Sequence, residues 1–308
     1  MSNPKTAFIV NPHAGNGSTG QAWPVLAAYA RRRLGDFQTF VTRGPGEAAH
    51  FARRAAEDRV VRLVCMGGDG TLNEVVNGVM AAPERPPEFA VGFVPNGTGC
   101  DLVRTLPIPR DVKLAVDLIA EGTARRLDLG RIRYRDHRGG RSTRYFHNIT
   151  SFGLGGEVDD RVNRTTKVFG PFLSFIWATV VSIFRYGKKT IRMRTDRGFR
   201  QTVRVWNVAV ANGQFHGGGM WVAPQAQIDD GRFHVTVVGD LGLSGVFRHL
   251  PKLYNGKIGD IAQVTILTAA HIEAESDQPV LLDVDGEQPG TLPLAAEVVP
   301  GALRIFTK

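Results

Sequence analysis

The stretch Gly67-Gly68-Asp69-Gly70-Thr71-Leu72-Asn73-Glu74-Val75-Val76-Asn77-Gly78 decides how this chain is read. Before it, the apolar run Val60 to Met66 has the length and composition of a buried parallel strand. After it, the apolar spacing from Leu72 to Met80 has a helical period. A strand that ends in glycines and feeds a helix aims several backbone N–H groups, and the positive end of a helix dipole, at one point. That arrangement suits a phosphate. An acid at Asp69 would repel phosphate unless Mg²⁺, or a proton to be abstracted, lies between them. Taken alone, the stretch also fits a plain tight turn in which the glycines take positive φ and Asp69 caps the helix.

The chain repeats the pattern, and the repetition favours chemistry over capping. Phe89 to Val94 reads as another strand, followed by Pro95-Asn96-Gly97-Thr98-Gly99-Cys100-Asp101-Leu102-Val103-Arg104. This is again strand, Gly-Thr turn, acid and helix. In an open parallel sheet both turns fall at the C-terminal strand ends, where such sheets bind ligands, so Asp69 and Asp101 are expected along one crevice.

Composition bounds the answer. The 308 residues are many for one domain and comfortable for two. With 43% apolar and 22% charged residues, the chain reads as globular rather than disordered. A net charge of +9 attracts anions, whether nucleotide, nucleic acid or acidic phospholipid. The basic residues are dispersed in short runs such as Arg31-Arg32-Arg33 and Lys188-Lys189. No nucleic-acid module or aromatic-laced basic strip accompanies them, so nucleic acid is not expected as a partner. Cys65 and Cys100 lack Cys-x-x-Cys spacing, which argues against a zinc or disulfide framework and for a reducing compartment. Met1 to Val10 runs straight into a strand without the pattern of a signal peptide, and the most apolar later segment, Val168 to Phe184, is broken by Gly170-Pro171. A cytoplasmic protein, peripheral at the membrane, is the expectation.

Ala7 to Val10 and Phe37 to Val41 read as short strands. The first is followed by Asn11-Pro12-His13-Ala14-Gly15-Asn16-Gly17-Ser18 and by a helix over Trp23 to Leu34, with Val25, Leu26, Tyr29 and Ala30 facing inward. Gly15-x-Gly17-x-x-Gly20 satisfies the dinucleotide-binding spacing. Asn11 to Ala14 separate it from the strand, however, and Pro12 imposes a different turn, so the Rossmann reading is set aside. No Walker motif occurs. Helices are expected over Glu47 to Ala56 and over Asp111 to Ala120, the latter capped by Asp111 and stopped at Gly122.

Beyond Ile132 the βα alternation gives way to short strands with turn signals. These are hairpin-like over 132–150 and 191–210, then continue over 233–238, 263–267, 271–274 and 280–284. The expected fold class is therefore α/β plus all-β: an open parallel-sheet nucleotide-binding domain over residues 1–130, then an antiparallel β-sandwich over 131–299. A closing strand, Leu303 to Phe306, is apolar enough to return to the first domain. Thr165 to Tyr186 crowds aromatic and aliphatic residues onto one helix flanked by Lys167, Arg185, Lys188 and Lys189. It suits a core helix, a wall of an acyl-chain cleft, or a patch that dips into a membrane.

In this order the motifs resemble the diacylglycerol kinase and sphingosine kinase catalytic-domain family, in particular its soluble bacterial lipid kinases. The resemblance rests on Asn11-Pro12-x-Ala14-Gly15-x-Gly17, on Gly67 to Gly78, and on Gly97-Thr98-x-Cys100-Asp101-x-x-Arg104, where Cys100 stands at the family's usual Asn. Asn212-Gly213, Gly217-Gly218-Gly219, Pro224-x-Ala226-x-x-x-Asp230-Gly231 and Asp285-Gly286-Glu287 complete it. It implies transfer of the γ-phosphoryl group of ATP, with Mg²⁺, to a hydroxyl of a membrane-derived, diacylglycerol-like lipid, with transient contact to an acidic membrane surface. A homodimer is compatible with it.

On the same ground Asn11, Gly15, Thr42, Gly67, Gly68, Asp69, Gly70, Thr71, Asn73, Gly97 and Thr98 are expected at the nucleotide. The resemblance puts Asp69, Asp101 and Asp128 at Mg²⁺ and its waters, and Asp230, with Gln227 and Arg232, at a structural Mg²⁺. It also implies a catalytic role for Asp69, and for Glu287 first and Asp285 second as the base that deprotonates the lipid hydroxyl. Residue by residue the plain readings stand beside these: a space-filling Cys100, a strand-end Asp128, a hairpin turn at Asp229-Asp230-Gly231 and another at Asp285-Gly286. Sphingoid-base kinases belong to the same family. NAD kinases share the Gly-Gly-Asp-Gly-Thr core but have no obvious use for the apolar 165–186 segment. A non-catalytic lipid-binding protein would keep that segment and bind no Mg-ATP.

Overall fold

The computed structural model describes residues 5–164 and 181–308. The chain divides into two compact units, one of residues up to Asp128 together with Gly301–Lys308, the other of Leu129–Pro300.

In the first unit, strands β1 (Thr6–Val10), β2 (Gln38–Val41), β3 (Arg62–Gly67) and β4 (Ala90–Pro95) form a parallel sheet in the order β2-β1-β3-β4. Helices α1 (Ser18–Leu34), α2 (Glu47–Glu57), α3 (Asp69–Ala81), α4 (Leu102–Thr105) and α5 (Val112–Glu121) connect and flank them. Every residue of β1 and β4 is buried, as parallel strands covered on both faces require. Phe8, Val10, Val64, Met66 and Val94 pack with Leu26 and Ala30 of α1 and with Val116 and Ile119 of α5. The backbones of α2 and α3 come so close that a Cβ on Gly78 would lie 2.1 Å from the Ala49 carbonyl oxygen, which explains that glycine of the opening motif as packing. Ile305, near the end of the last strand, pairs with Val91 of β4 in parallel, so the closing strand joins this sheet.

Local signals are met closely. Asp111 accepts from the Lys113 and Leu114 N–H groups at 2.9 and 3.0 Å, and Gly122 ends α5 with φ +81°. α1 departs from expectation by starting at Ser18. Val25, expected inward, is 68% exposed, because the buried face runs through Leu26, Ala27 and Ala30.

The second unit is built from two antiparallel sheets and the separate β-hairpin 215–221. Its strands are β5 (Ala124–Asp136, from Leu129 onward in this unit), β6 (Arg141–Phe146), β7 (Ile149–Gly153), β8 (Lys189–Thr195), β9 (Arg200–Val205), β10 (Asn207–Ala211), β11 (Phe215–His216), β12 (Met220–Trp221), β13 (Phe233–Val238), β14 (Val264–Ala269), β15 (His271–Glu275), β16 (Leu282–Val284) and β17 (Gly290–Phe306). One sheet runs β14-β13-β10-β7-β16; the other contains β17-β15-β8-β9 with β5 and β6. Ile132, Phe146, Ile191, Ile272 and Leu294 of the second meet Phe152, Val210, Phe233, Val235 and Leu282 of the first in one core, which makes a sandwich.

Two expected strands each split. Between Phe146 and Ile149, and again at Trp206, the chain leaves one sheet and enters the other. Apolar alternation continues across both corners, so the sequence pattern carries no mark of the break. The segment Thr165 to Tyr186 lies outside the described residues except for 181–186. Among the described residues no helix is long and apolar enough to cross a membrane.

Candidate active site

Three loops leave the C-terminal ends of β1, β3 and β4 and hold one another. Asn11 Nδ2 donates to Thr71 Oγ1 at 2.9 Å, and the Asn11 N–H reaches the Met66 carbonyl at 3.0 Å. The Asn96 N–H donates to the Gly67 carbonyl at 2.8 Å, while Thr19 Oγ1 donates to the Asn96 carbonyl at 3.2 Å. The two Gly-Thr turns cross so closely that a Cβ on Gly97 would lie 2.5 Å from Gly68 Cα. Gly68 precedes α3 without a side-chain cap, so the N–H groups of Asp69, Gly70 and Thr71 point out of the helix end beside this crossing. The result is a backbone-lined trough at the positive end of a 13-residue helix, the setting in which phosphate binds.

The same crossing brings the expected pair of acids together. The Asp101 N–H donates to Asp69 Oδ2 at 3.3 Å, and Asp101 Oδ1 lies 3.3 Å from Arg104 Nε. Arg110 Nη2 donates to the carbonyls of Gly99 and Cys100 at 3.0 and 3.2 Å and fixes the turn. Cys100 adopts φ +47°, a conformation that Asn enters more readily than Cys. Its Sγ accepts from the Gly97 N–H at 3.3 Å. Burial, reinforced by the charge of Asp69, pushes the Cys100 thiol up to about 12, so it closes the turn as a neutral group.

Other expected site residues are placed differently. Asn11, Gly15, Gly68, Asp69, Gly70, Gly97 and Thr98 reach the surface of the unit, whereas Thr42, Gly67, Thr71 and Asn73 are buried. Thr42 extends the β1–β2 pairing through its N–H to the Val10 carbonyl at 2.9 Å, and Asn73 Oδ1 accepts from Asn77 Nδ2 at 3.2 Å. Asp128 is buried, and its Oδ1 accepts from the Gly301 N–H at 2.7 Å. Among the described residues no three His, Cys, Asp or Glu side chains gather as a ligand cluster. Glu74, in the opening motif but without an expected role, accepts from the Gly46 and Ala48 N–H groups at 2.8 and 3.1 Å and caps α2 from α3.

In the second unit the Asp-Gly-Glu motif forms a two-residue turn. Asp285 and Gly286 take φ +50° and +87°, and Val284 and Glu287 exchange N–H bonds of 2.8 and 3.1 Å. The Asp285 carboxylate is wholly buried and accepts from the N–H groups of His147, Asn148 and Ile149 at 2.9, 3.1 and 3.0 Å. Its Oδ2 also lies 2.8 Å from His147 Nδ1. With both oxygens engaged, Asp285 anchors the turn. Glu287 is 42% exposed and accepts from Arg144 Nη2 at 2.6 Å. Beneath it, the buried Asp283 lies 3.0 Å from Ser151 Oγ and 2.9 Å from His216 Nε2. These pairings escape sequence reasoning because their members lie far apart in the chain.

Two further motifs resolve into turns. Gly217, Gly218 and Gly219 take φ +61°, +81° and +112° to close the β11–β12 hairpin. Asp230 Oδ1 accepts from the Arg232 N–H at 3.0 Å, and Oδ2 lies 3.6 Å from His234 Nε2. The Gln227 and Arg232 side chains face solvent. At the place where the resemblance implies a structural Mg²⁺ at Gln227, Asp230 and Arg232, Asp230 thus closes an Asx turn.

Residues 5–132 match the family described as diacylglycerol kinase catalytic domain, and residues 148–307 match the YegS C-terminal NAD kinase beta sandwich-like domain. The chain belongs to the diacylglycerol kinase family. It is accordingly a kinase. The diacylglycerol kinase of Staphylococcus carnosus is 28% identical over 291 residues, spanning 94% of this chain and 90% of its own. That of Staphylococcus epidermidis is 27% identical over 305 residues, spanning 98% and 92%. A Bacillus anthracis crystal structure, provisionally described as a diacylglycerol kinase, superposes with a TM-score of 0.81 at 24% identity, covering 100% of this chain and 96% of that one. Yeast NADH kinase shares the fold at a TM-score of 0.52 and 13% identity, over 98% and 83% of the two chains.

Proposed function

We propose that this kinase transfers the γ-phosphoryl group of ATP to a hydroxyl of a diacylglycerol-like lipid, giving a lipid phosphate. The observation that carries the reading is the Asp69–Asp101 pair set at the uncapped start of α3, beside the Gly68–Gly97 crossing. The crossing is a cradle that a single Cβ would fill, and helix N–H groups face it, so triphosphate oxygens fit there. Carboxylates are hard oxygen donors, so Asp69 and Asp101 on the two crossing turns fit Mg²⁺. When bound, Mg²⁺ supplies neutralisation of the triphosphate charge, and Asp69 and Asp101 would hold it.

The remaining roles belong to the chain itself. Phosphoryl transfer depends on positioning and charge neutralisation more than on covalent chemistry. The α3 N–H groups orient the transferred group, and Arg104 and Arg110 keep the second turn in place. The lipid oxygen forms a bond to the γ-phosphorus as the bond to the β,γ-bridging oxygen breaks, ADP leaves, and the hydroxyl proton passes to a carboxylate. Glu287, the acid of the Asp-Gly-Glu turn that reaches solvent, takes that proton, oriented by Arg144.

The test is transfer of labelled γ-phosphate from Mg-ATP to mixed-micelle diacylglycerol, monoacylglycerol, sphingosine and ceramide, with NAD and no-acceptor controls, in wild type and Asp69→Asn. Label on diacylglycerol that vanishes in the variant supports the reading. Label on NAD alone, or on none of the lipids while ATP is bound, overturns it.

A further inference from the structure

Among the described residues, five of the nine large apolar side chains that stand exposed fall close together. Phe184, Leu243, Phe247, Leu250 and Tyr254, between 38% and 61% exposed, fall in two segments of the second unit. The segments adjoin, with the Phe184 and Phe247 ring centroids 5.6 Å apart. The helix Leu243–His249 runs on into a 3-10 turn over Leu250–Leu253, and Leu243, Phe247, Leu250 and Tyr254 recur along this path at helical spacing. They form one stripe.

The same path already has an apolar face toward the core, where Val246 and Leu253 pack on the cluster of Ile183, Trp206, Leu241, Ile258 and Ile261. Folding requires that face alone; the solvated one has no part in the core. Its surroundings are basic. Residues 181–189 and 240–260 contain Arg185, Lys188, Lys189, Arg248, Lys252 and Lys257 against only Asp240 and Asp260. Lys188 pairs with Asp240, and Lys252 donates to the Asp260 backbone carbonyl at 3.1 Å, while Arg185, Arg248 and Lys257 stand exposed.

Aromatic and leucine side chains bordered by basic ones suit the boundary of an anionic bilayer. The rings and leucines enter the acyl edge while the cations meet phosphate headgroups. We propose that the Leu243–Tyr254 stripe, with Phe184, is the surface by which this protein docks on an anionic lipid bilayer. The inference rests on the lipid-kinase reading for its purpose, since an acceptor insoluble in water has to be reached where it resides.

The test is co-sedimentation of the full chain with vesicles of phosphatidylcholine alone and of phosphatidylcholine mixed with phosphatidylglycerol. Two double variants are compared, Phe247→Ser with Leu250→Ser and Arg248→Glu with Lys252→Glu, each checked for wild-type melting and for turnover of a short-chain, water-soluble diacylglycerol. Wild type is expected to pellet with the anionic vesicles and not with phosphatidylcholine alone, and each double variant to partition about tenfold less. Unchanged partition in both variants overturns the proposal. So does a wild-type dimer in sedimentation velocity that Phe247→Ser with Leu250→Ser converts to monomer, which makes the stripe an interface between copies. Stripe-dependent vesicle binding without turnover of any lipid leaves the docking surface standing and defeats the lipid-kinase reading instead.

Discussion

Asp69→Asn removes one negative charge and almost no volume from the crossing of the two Gly-Thr turns. The amide oxygen still accepts from the Asp101 N–H, a bond already long at 3.3 Å. The variant loses the attraction between an anion and the α3 N-terminus, about 0.3 to 1 kcal/mol. Stability should therefore stay within about 1 kcal/mol of wild type, a melting shift of roughly 2 to 4 °C at most in a chain of this size. Turnover depends on the charge that was removed, and deleting one preorganised electrostatic group typically lowers kcat by about 10² to 10³. Labelled-phosphate transfer and differential scanning fluorimetry on the same preparation separate the two effects. A folded Asp69→Asn protein retaining more than about a tenth of wild-type kcat/KM would remove Asp69 from the mechanism, because a loss that small lies below the range for such groups.

Gly97→Ala places its Cβ against Gly68 Cα and should cost about 1 to 3 kcal/mol while abolishing ATP binding, read by denaturant titration and calorimetry. Glu287→Gln should lower kcat with stability unchanged, whereas Asp285→Asn turns an amide NH2 toward at least the buried His147 N–H and should destabilise by about 3 kcal/mol in urea. Neither cysteine should react with Ellman's reagent at pH 8 in the native protein. Burial raises the Cys100 thiol to about 12 from an ordinary 9.0 and moves Cys65 up as well. Because both folded thiols ionise later than unfolded ones, stability is intact below about pH 9 and falls as pH climbs toward 12, which thermal melts across that range will register.

What the sequence displays is what neighbours in the chain decide. The two strand–turn–helix units, the Asp111 cap and the Gly122 stop were legible because each depends on a few consecutive residues. The corners at His147–Asn148 and Trp206 were not, since alternation persists through them while the sheet partner changes. Asp128 read as an ordinary strand-end acid because its partner, Gly301, comes from the far end of the chain. His216 beside Asp283, and Arg144 beside Glu287, likewise depend on the sandwich to bring distant strands together. The stripe from Leu243 to Tyr254 has helical spacing that any core helix would show; only its exposure distinguishes it.

The pairing of Ile305 with Val91 sets an order of events during biosynthesis. Residues 1–128 leave the ribosome first, yet the segment that flanks β4 is translated only after the whole sandwich. Until then β4 presents an unpaired strand edge, the kind of surface that recruits other chains. The parallel-sheet half is thus synthesised early and sealed last, with the Gly301 N–H closing on Asp128 as the final clasp. A nascent chain stalled before residue 301 would hold its sandwich residues complete and its kinase half open, and would be the form most in need of a chaperone.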